Sequence, residues 1–344
     1  MQVGLVTGRN TVELIEMPTP EPATGKAVVD IGYCGICGTD VHAYLSGAPY
    51  NPAICGHEWM GHISSVGAEV GNVKEGDRVA IGVSSACGQC PTCRRGDASH
   101  CEVAFAGAIG AGPHAPPHGG FASAIAFDAT RLYHIDTGMT DEDAAILEPV
   151  TVAVHAVRRT NIRLGDTAVI IGAGPIGLLV LQAARAAGAG HTILVEPEPV
   201  RRRLGQALGA DTTVDPTRDD VNDVIRTTLN QDGADVVFEC AGIPKTVQHA
   251  VDFVRRGGVV SLVGLPNVPA EINVATWLVK EIRLSSSIAY VHEEFEISKH
   301  LVADGRINCA PLHTSTVPLG ELSDAFATLA SHPREVKILV DPRR

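Results

Sequence analysis

Aromatic residues are scarce, only 4% of the 344-residue chain, while glycine is abundant at 36. That mix suits close backbone approach and tight turns, as in an α/β protein built to hold a nucleotide. Charge is thin at 19% and unbalanced, with a formal net charge of -12. No run of Lys or Arg exists beyond Arg201–Arg203, so a nucleic acid is not the expected partner. Long apolar runs are also missing. The most apolar stretch, Ala168–Leu181, is broken by Gly172, Gly174, Pro175 and Gly177 and is too short to span a bilayer. Met1–Val12 has no basic segment followed by an apolar one, so no secretory leader is expected. No internal repeat occurs. A hydrophobic share of 45% is enough for a sizeable core. The expectation is a globular cytoplasmic chain of roughly two domains with no membrane partner.

Cysteine, by contrast, is plentiful. Nine are present, and Cys87, Cys90, Cys93 and Cys101 crowd together. An odd count without a leader reads as metal binding rather than disulfides. Four thiolates at this spacing can enclose a tetrahedral ion and leave no open position, which makes a structural zinc site. The run also resembles the start of a bacterial ferredoxin motif. That motif has three residues before its last cysteine and a proline after it. Here seven residues intervene and Glu102 follows, so zinc is favoured over an iron–sulfur cluster.

Residues 1–150 carry short alternating segments such as Lys26–Ile31 and Arg78–Gly82, with turn signals between them. They predict a small, mostly β domain. From residue 151 strand-like and helix-like segments alternate: Thr167–Ile171, Ile176–Ala187, Thr192–Val195, Val200–Leu208, Thr212–Val214, Asp219–Leu229, Asp235–Glu239, Lys245–Val254 and Val259–Val263. Such alternation predicts βαβ units on a doubly wound parallel sheet over residues 151–289. The helix-like Glu293–Ala303 and the strand-like Val336–Val340 lie in a last segment, 290–344, expected to fold back onto the first domain. The Pro/Gly-rich stretch Ala111–Gly120, with His114 and His118, reads as a mobile surface loop, with a metal role for the histidines the lesser alternative because no fixed scaffold surrounds them.

The strand Ala168–Ile171 runs into Gly172-Ala-Gly174-Pro175-Ile176-Gly177 and then an apolar helix. Gly172 permits the tight turn, Gly174 lets a pyrophosphate approach the backbone, and Gly177 lets helix and strand pack closely. The helix start offers free N–H groups to the phosphates. The next strand ends in Glu196, about 20 residues on, where a carboxylate meets the ribose hydroxyls. Glu196 would bind the hydroxyls of NAD and repel a 2′-phosphate. Arg201 is placed to lie along the adenine, whereas an Arg201–Arg203 cluster would accommodate phosphate; the carboxylate favours NAD. A methyltransferase can share this glycine turn, but the zinc signals do not fit one.

A second metal group is spread more widely. Cys34-Gly-Ile-Cys37-Gly-Thr39-Asp40-Val-His42 is followed by Cys55-Gly-His57-Glu58 and, far downstream, by Glu148-Pro149. Cys37, His57 and a carboxylate form a mixed donor set with room for one exogenous ligand, the arrangement of a catalytic zinc. Alone, Cys34 and Cys37 read as a redox pair and His57 as a core histidine. The glycine fingerprint beside them argues for the metal.

Together these motifs resemble the zinc-containing medium-chain dehydrogenase/reductase family, and within it the sorbitol, 2,3-butanediol and threonine dehydrogenase branch. The resemblance covers nearly the whole chain. It implies a GroES-like catalytic domain, a Rossmann domain, and a homodimer or homotetramer. It implies hydride transfer between a secondary alcohol, such as a polyol or vicinal diol, and NAD, with an amino alcohol or aminocyclitol as the alternative substrate. A non-enzymatic zinc scaffold is the distant alternative, disfavoured because Cys37, His57 and Thr39 are all present. The branch places zinc ligands at Cys37, His57 and Glu58, with Glu148 binding directly or through water. Two carboxylates beside one thiolate would leave the ion's site negative and weaken its Lewis acidity. One glutamate is therefore expected to bind directly, and which one stays open. The family relay would carry the alcohol proton from Thr39 through the cofactor ribose to His42. Cys34, Cys55, Cys240 and Cys309 are expected as buried free thiols. Tyr44, Phe105, Trp277 and Tyr290 are candidates for the substrate wall or for plain core packing.

Overall fold

The computed structural model describes residues 1–112, 114–332 and 334–344. The chain divides into two compact units. One comprises Met1–Glu148, Val291–Lys299 and Leu312–Arg344; the other comprises Pro149–Tyr290 and His300–Pro311.

The first unit is built on a seven-stranded sheet. Its order is His313–Pro318, Lys337–Asp341, Lys26–Gly35, Glu58–Val66, Arg78–Ile81 and Leu132–His134, with Ala124–Asp128 pairing onto Lys26–Gly35. Only the pair formed by His313–Pro318 and Lys337–Asp341 is parallel. The central strand, KAVVDIGYCG, is buried along most of its length, so its apolar residues face covered surfaces on both sides. Register matters here. Gly35 lies opposite Glu58 and also opposite Leu339 on the other side. The last strand therefore brings Lys337 next to the residues that follow Gly35. The core includes Trp59, Phe121, Phe127 and Phe326 among aliphatic neighbours. Trp59 and Phe127 meet edge-on at 5.0 Å.

The second unit is a six-stranded parallel sheet in the order Thr212–Val214, His191–Val195, Thr167–Ile171, Ala234–Glu239, Val254–Leu262 and Arg283–Ser286. The order runs outward in both directions from the first strand of the unit, which is the doubly wound Rossmann arrangement. Strands Thr167–Ile171 and Ala234–Glu239 are neighbours, with Ile171 opposite Glu239. Their carboxyl ends flank the switch point, where such sheets bind ligands. Val169, Ile193, Val237 and Val260 are fully buried, as expected for strands covered by helices on both faces.

The α/β class and the parallel sheet read from the alternating segments are present. Two elements lie beyond that reading. The helix Val274–Lys280 and the edge strand Arg283–Ser286 carry no clear apolar alternation. Among the described residues, no helix is long and apolar enough to cross a membrane.

Candidate active site

The first donor group begins at a helix start. Cys37 is the N-cap of the helix Gly38–Ser46, and its Sγ accepts the Thr39 N–H at 3.5 Å. Asp40 returns the bond, its Oδ2 accepting Cys37 N–H at 2.9 Å. This reciprocal cap satisfies donors that a helix start would otherwise leave free. The sulfur is thus held at the positive end of the helix dipole. Thr39 Oγ1 lies 3.6 Å from Cys37 Sγ, and Thr39 is exposed while His42 is half-buried on the same helix.

Asp40 does more than cap. It is fully buried, and its Oδ1 accepts from Tyr50 Oη at 2.7 Å and from Gly56 N–H at 3.2 Å. One carboxylate therefore ties the Cys37 segment to the turn that carries His57. Burial raises its pKa, opposed by His57 and by these donors. His57 Nδ1 lies 2.8 Å from Ile54 O. A proton on Nδ1 donates to that carbonyl and leaves Nε2 as the free ligand atom.

Cys37, His57 and Glu58 each offer a ligand atom within 4.8 Å of the others. Burial works against a charged His57, yet Cys37, Asp40 and Glu148 raise its pKa well above the ordinary value. The group is thus strongly anionic and suits a cation. A thiolate, an imidazole and a carboxylate fit a zinc ion with one position left for an outside ligand.

Glu58 has a partner far away in the sequence. Lys337 Nζ lies 2.6 Å from Glu58 Oε2 and 3.0 Å from Ile36 O, with both side chains only 2% exposed. Glu148 is half-buried beside this group. Burial pushes its carboxyl up to about 7, with the Glu58 charge adding to the shift and His57 and Lys337 opposing it. Glu148 does not join the compact group with Cys37 and His57. Lys337 changes the charge balance expected from the sequence. A double positive ion with one thiolate and two carboxylates leaves one negative charge over, and the buried lysine cancels it.

The four-cysteine group closes as a separate set, with Cys87, Cys90, Cys93 and Cys101 all within 4.8 Å of one another. Backbone N–H groups point at the sulfurs, from Cys90 to Cys87 at 3.3 Å, from Cys93 to Cys90 at 3.4 Å and from Cys87 to Cys101 at 3.3 Å. The Cys93 N–H is the main reason the Cys90 thiol is pushed down to about 6. Four thiolates leave no open position, so the set suits a structural ion.

In the second unit Gly172 adopts φ 96, and a Cβ on Gly177 would fall 1.9 Å from Gly172 O. Only glycine fits both positions. Gly174 caps the helix Pro175–Ala186, which begins with Pro175 and Ile176, as a proline start allows. Glu196 Oε2 accepts from Ala173 N–H at 2.7 Å and its Oε1 from Glu198 N–H at 2.9 Å. The carboxylate is therefore fixed at the end of the second strand, against the glycine turn. Arg201 is half-buried on the helix Pro199–Ala207. Its neighbour Arg202 donates to Glu196 O at 2.6 Å and pairs with Asp215 at 3.0 Å.

The sequence reading passed over Glu239, which is fully buried at the end of its strand. Its Oε1 accepts from Ala241 N–H, Gly242 N–H and Thr246 Oγ1 at 2.9, 3.0 and 2.7 Å. A Cβ on Gly172 would meet Ala241 Cα at 3.1 Å, so this carboxyl braces the loop behind the glycine turn. The wall candidates divide. Tyr44 is buried with its ring 5.4 Å from Phe326, Trp277 packs on the second unit's core, Tyr290 is buried, and Phe105 is exposed. Cys34, Cys55 and Cys309 are buried free thiols, and Cys240 is half-buried.

Replacing Asp40 with Ala removes the acceptor shared by two segments and leaves their N–H groups unpaired. Elemental analysis of dialysed protein is expected to fall from about two zinc ions per chain toward about one, with the four-cysteine ion kept. Retention of both ions would contradict this account of Asp40.

Comparison with known proteins gives the family. Residues 23–137 match the alcohol dehydrogenase GroES-like domain, and residues 175–304 match the zinc-binding dehydrogenase domain. Sorbitol dehydrogenase from Bacillus subtilis is 32% identical, over 100% of this chain and 98% of its own. The crystal structure of 2R,3R-butanediol dehydrogenase from Bacillus subtilis superposes with a TM-score of 0.84 at 29% identity, over 99% of each chain. A zinc-binding dehydrogenase structure from Sinorhizobium meliloti 1021, bound to NADP, gives a TM-score of 0.85 at 30% identity, again over 99% of each chain. The chain belongs to the zinc-containing medium-chain dehydrogenase family.

Proposed function

We propose that this chain is a zinc-dependent dehydrogenase that moves hydride between a secondary alcohol, of the polyol or vicinal-diol class, and NAD. The observation that carries the reading is the open donor group Cys37, His57 and Glu58 in the same chain as the Glu196-fastened glycine turn. Relatives named for sorbitol and butanediol support the substrate class.

Bound zinc supplies Lewis acidity to the alcohol oxygen, and bound NAD supplies the hydride acceptor. The chain's residues do the rest. Cys37 and His57 present the sulfur and Nε2, and the buried Glu58 supplies the carboxylate with its charge balanced by Lys337. Thr39 Oγ1, beside the Cys37 sulfur, would accept the proton leaving the alcohol as it hands its own hydroxyl proton to the cofactor ribose. His42, on the same helix, would take the proton from there toward solvent. Burial lowers the His42 pKa, which keeps its imidazole neutral and able to accept.

Glu196 supports NAD over NADP. Its carboxylate is buried against Ala173 N–H and would repel a 2′-phosphate. Arg202 beside it is already committed to Glu196 O and Asp215.

A second copy of the chain is the proposed partner. Leu278, Val279 and Leu284 are 71%, 74% and 50% exposed, on and beside the edge strand Arg283–Ser286, which among the described residues pairs on one side only. Such an apolar edge calls for cover. Nine free cysteines suit a reducing compartment such as the cytoplasm. Light scattering is expected to give a mass of at least two chains, and a stable single-chain mass would sink the oligomer reading.

The direct test of the function is turnover of a panel of diols, polyols and amino alcohols with each nucleotide. Secondary alcohols of the polyol or diol class should react, and kcat/KM with NAD should exceed that with NADP by at least roughly tenfold. Activity confined to amino alcohols, or a preference for NADP, would overturn the corresponding part. Replacing His42 with Ala should slow turnover more near about pH 7 than near about pH 10, where hydroxide can take the proton. An unchanged pH profile would count against the relay.

A further inference from the structure

One side chain staples the turn that carries Glu196. Arg202 lies in the helix Pro199–Ala207, its N–H bonded to Glu198 O at 3.0 Å. Its Nη1 turns back and donates to Glu196 O at 2.6 Å and to Pro197 O at 2.5 Å. Its Nη2 pairs with Asp215 Oδ2 at 3.0 Å, and the two side chains are only 16% and 12% exposed. Asp215 arrives from the neighbouring strand. It follows Val214, which lies opposite Val195, and Glu196 N–H donates to Val214 O at 3.0 Å. The Asp215 carboxylate is itself fixed, its Oδ1 accepting from Thr217 N–H at 3.0 Å and from Thr217 Oγ1 at 2.6 Å.

The pair has an electrostatic consequence. A guanidinium is charged at any working pH. The carbonyl that Arg202 holds and the carboxylate fixed against Ala173 N–H belong to the same residue. Arg202 therefore lies within the screening length, about 8 Å at ordinary salt, of whatever binds at Glu196. A phosphate adds nearly two negative charges where a hydroxyl adds none, and an uncompensated guanidinium at this range would reward it. Asp215 supplies the opposite charge 3.0 Å away. Arg202 keeps its two carbonyls but presents a short dipole in place of a free charge.

We propose that Asp215 is a specificity-determining residue for the nucleotide: it cancels the charge of Arg202, so that the Glu196 turn takes a 2′-hydroxyl and rejects a 2′-phosphate. This deepens the NAD reading above and rests on it. Glu196 repels the phosphate directly. Asp215 stops the bonded cation from offsetting that repulsion, and it acts through Arg202 without touching the nucleotide.

The test is titration of the zinc-loaded protein with NADPH and with NADH, followed by nucleotide fluorescence, which reads binding without turnover. Asp215→Asn keeps an amide oxygen for Thr217 and removes the charge. At low salt it should tighten NADPH by roughly 3- to 10-fold and change NADH by less than about twofold. The selective gain should fade near about 1 M salt, where the screening length is about 3 Å. It should vanish when Arg202→Gln is added, since the amide can still donate to the carbonyls but carries no charge. An unchanged NADPH to NADH ratio would overturn the proposal. So would a gain equal for both nucleotides, one that survives high salt, or one that persists without Arg202, since each marks a change of packing. Arg202→Gln alone gives a check that does not need Asp215→Asn to fold: it should leave the ratio as it was, and a selective loss of NADPH would show that Arg202 already serves the phosphate and overturn the proposal. Wild-type protein that binds NADPH more tightly than NADH would instead sink the NAD reading and this proposal with it, and protein that binds neither would sink the dehydrogenase reading.

Discussion

Everything at the open metal group hangs on one buried carboxylate. Asp40 accepts from the Cys37 and Gly56 backbones and from Tyr50 Oη. A carboxylate taken out of water is expensive unless its oxygens are fully engaged. Here three donors and the nearby His57, at 3.9 Å, meet that need. The arrangement fixes two ligand segments that share no regular element. It also caps the helix on which Thr39 and His42 ride. Donor geometry and the proposed proton path are therefore coupled through a residue that need not touch an ion itself.

Charge is balanced over a second layer. Lys337 arrives from the last strand, antiparallel to Lys26–Gly35, and neutralises Glu58. The ion pair is inside the protein, so its worth lies less in stability than in fixing the carboxylate and setting the local charge. With the lysine counted, Glu58 and Glu148 can both stand beside a double positive ion without net charge. The question the sequence posed, which glutamate can be afforded, rested on a sum that lacked this lysine.

What was legible in the sequence was local. The strand Thr167–Ile171, the glycines 172, 174 and 177, and the cysteines 87–101 are read from spacing, because a turn or a ligand cluster built from near neighbours is written in near neighbours. The parallel sheet followed from alternation. Asp40 carried a signal that could have been used, since a carboxylate three residues after a capping Cys37 is a reciprocal cap. Lys337 carried none: its partner is distant in the chain and only strand register joins them. The edge strand Arg283–Ser286 was hidden because its serines and exposed Leu284 lack the pattern of a covered strand. His118 looked like loop because prolines and glycines surround it, yet its side chain is buried, and Gly120 N–H near it bonds the distant Gly56 O.

The central claim is that the chain holds two ions in different environments, one enclosed by four sulfurs and one open with a single sulfur. Zinc K-edge X-ray absorption on protein carrying both ions reads the average directly. Five sulfurs shared by two ions predict about two and a half sulfur neighbours per zinc, the rest nitrogen and oxygen. An average near four would mean that only the closed site binds zinc, and would contradict the account.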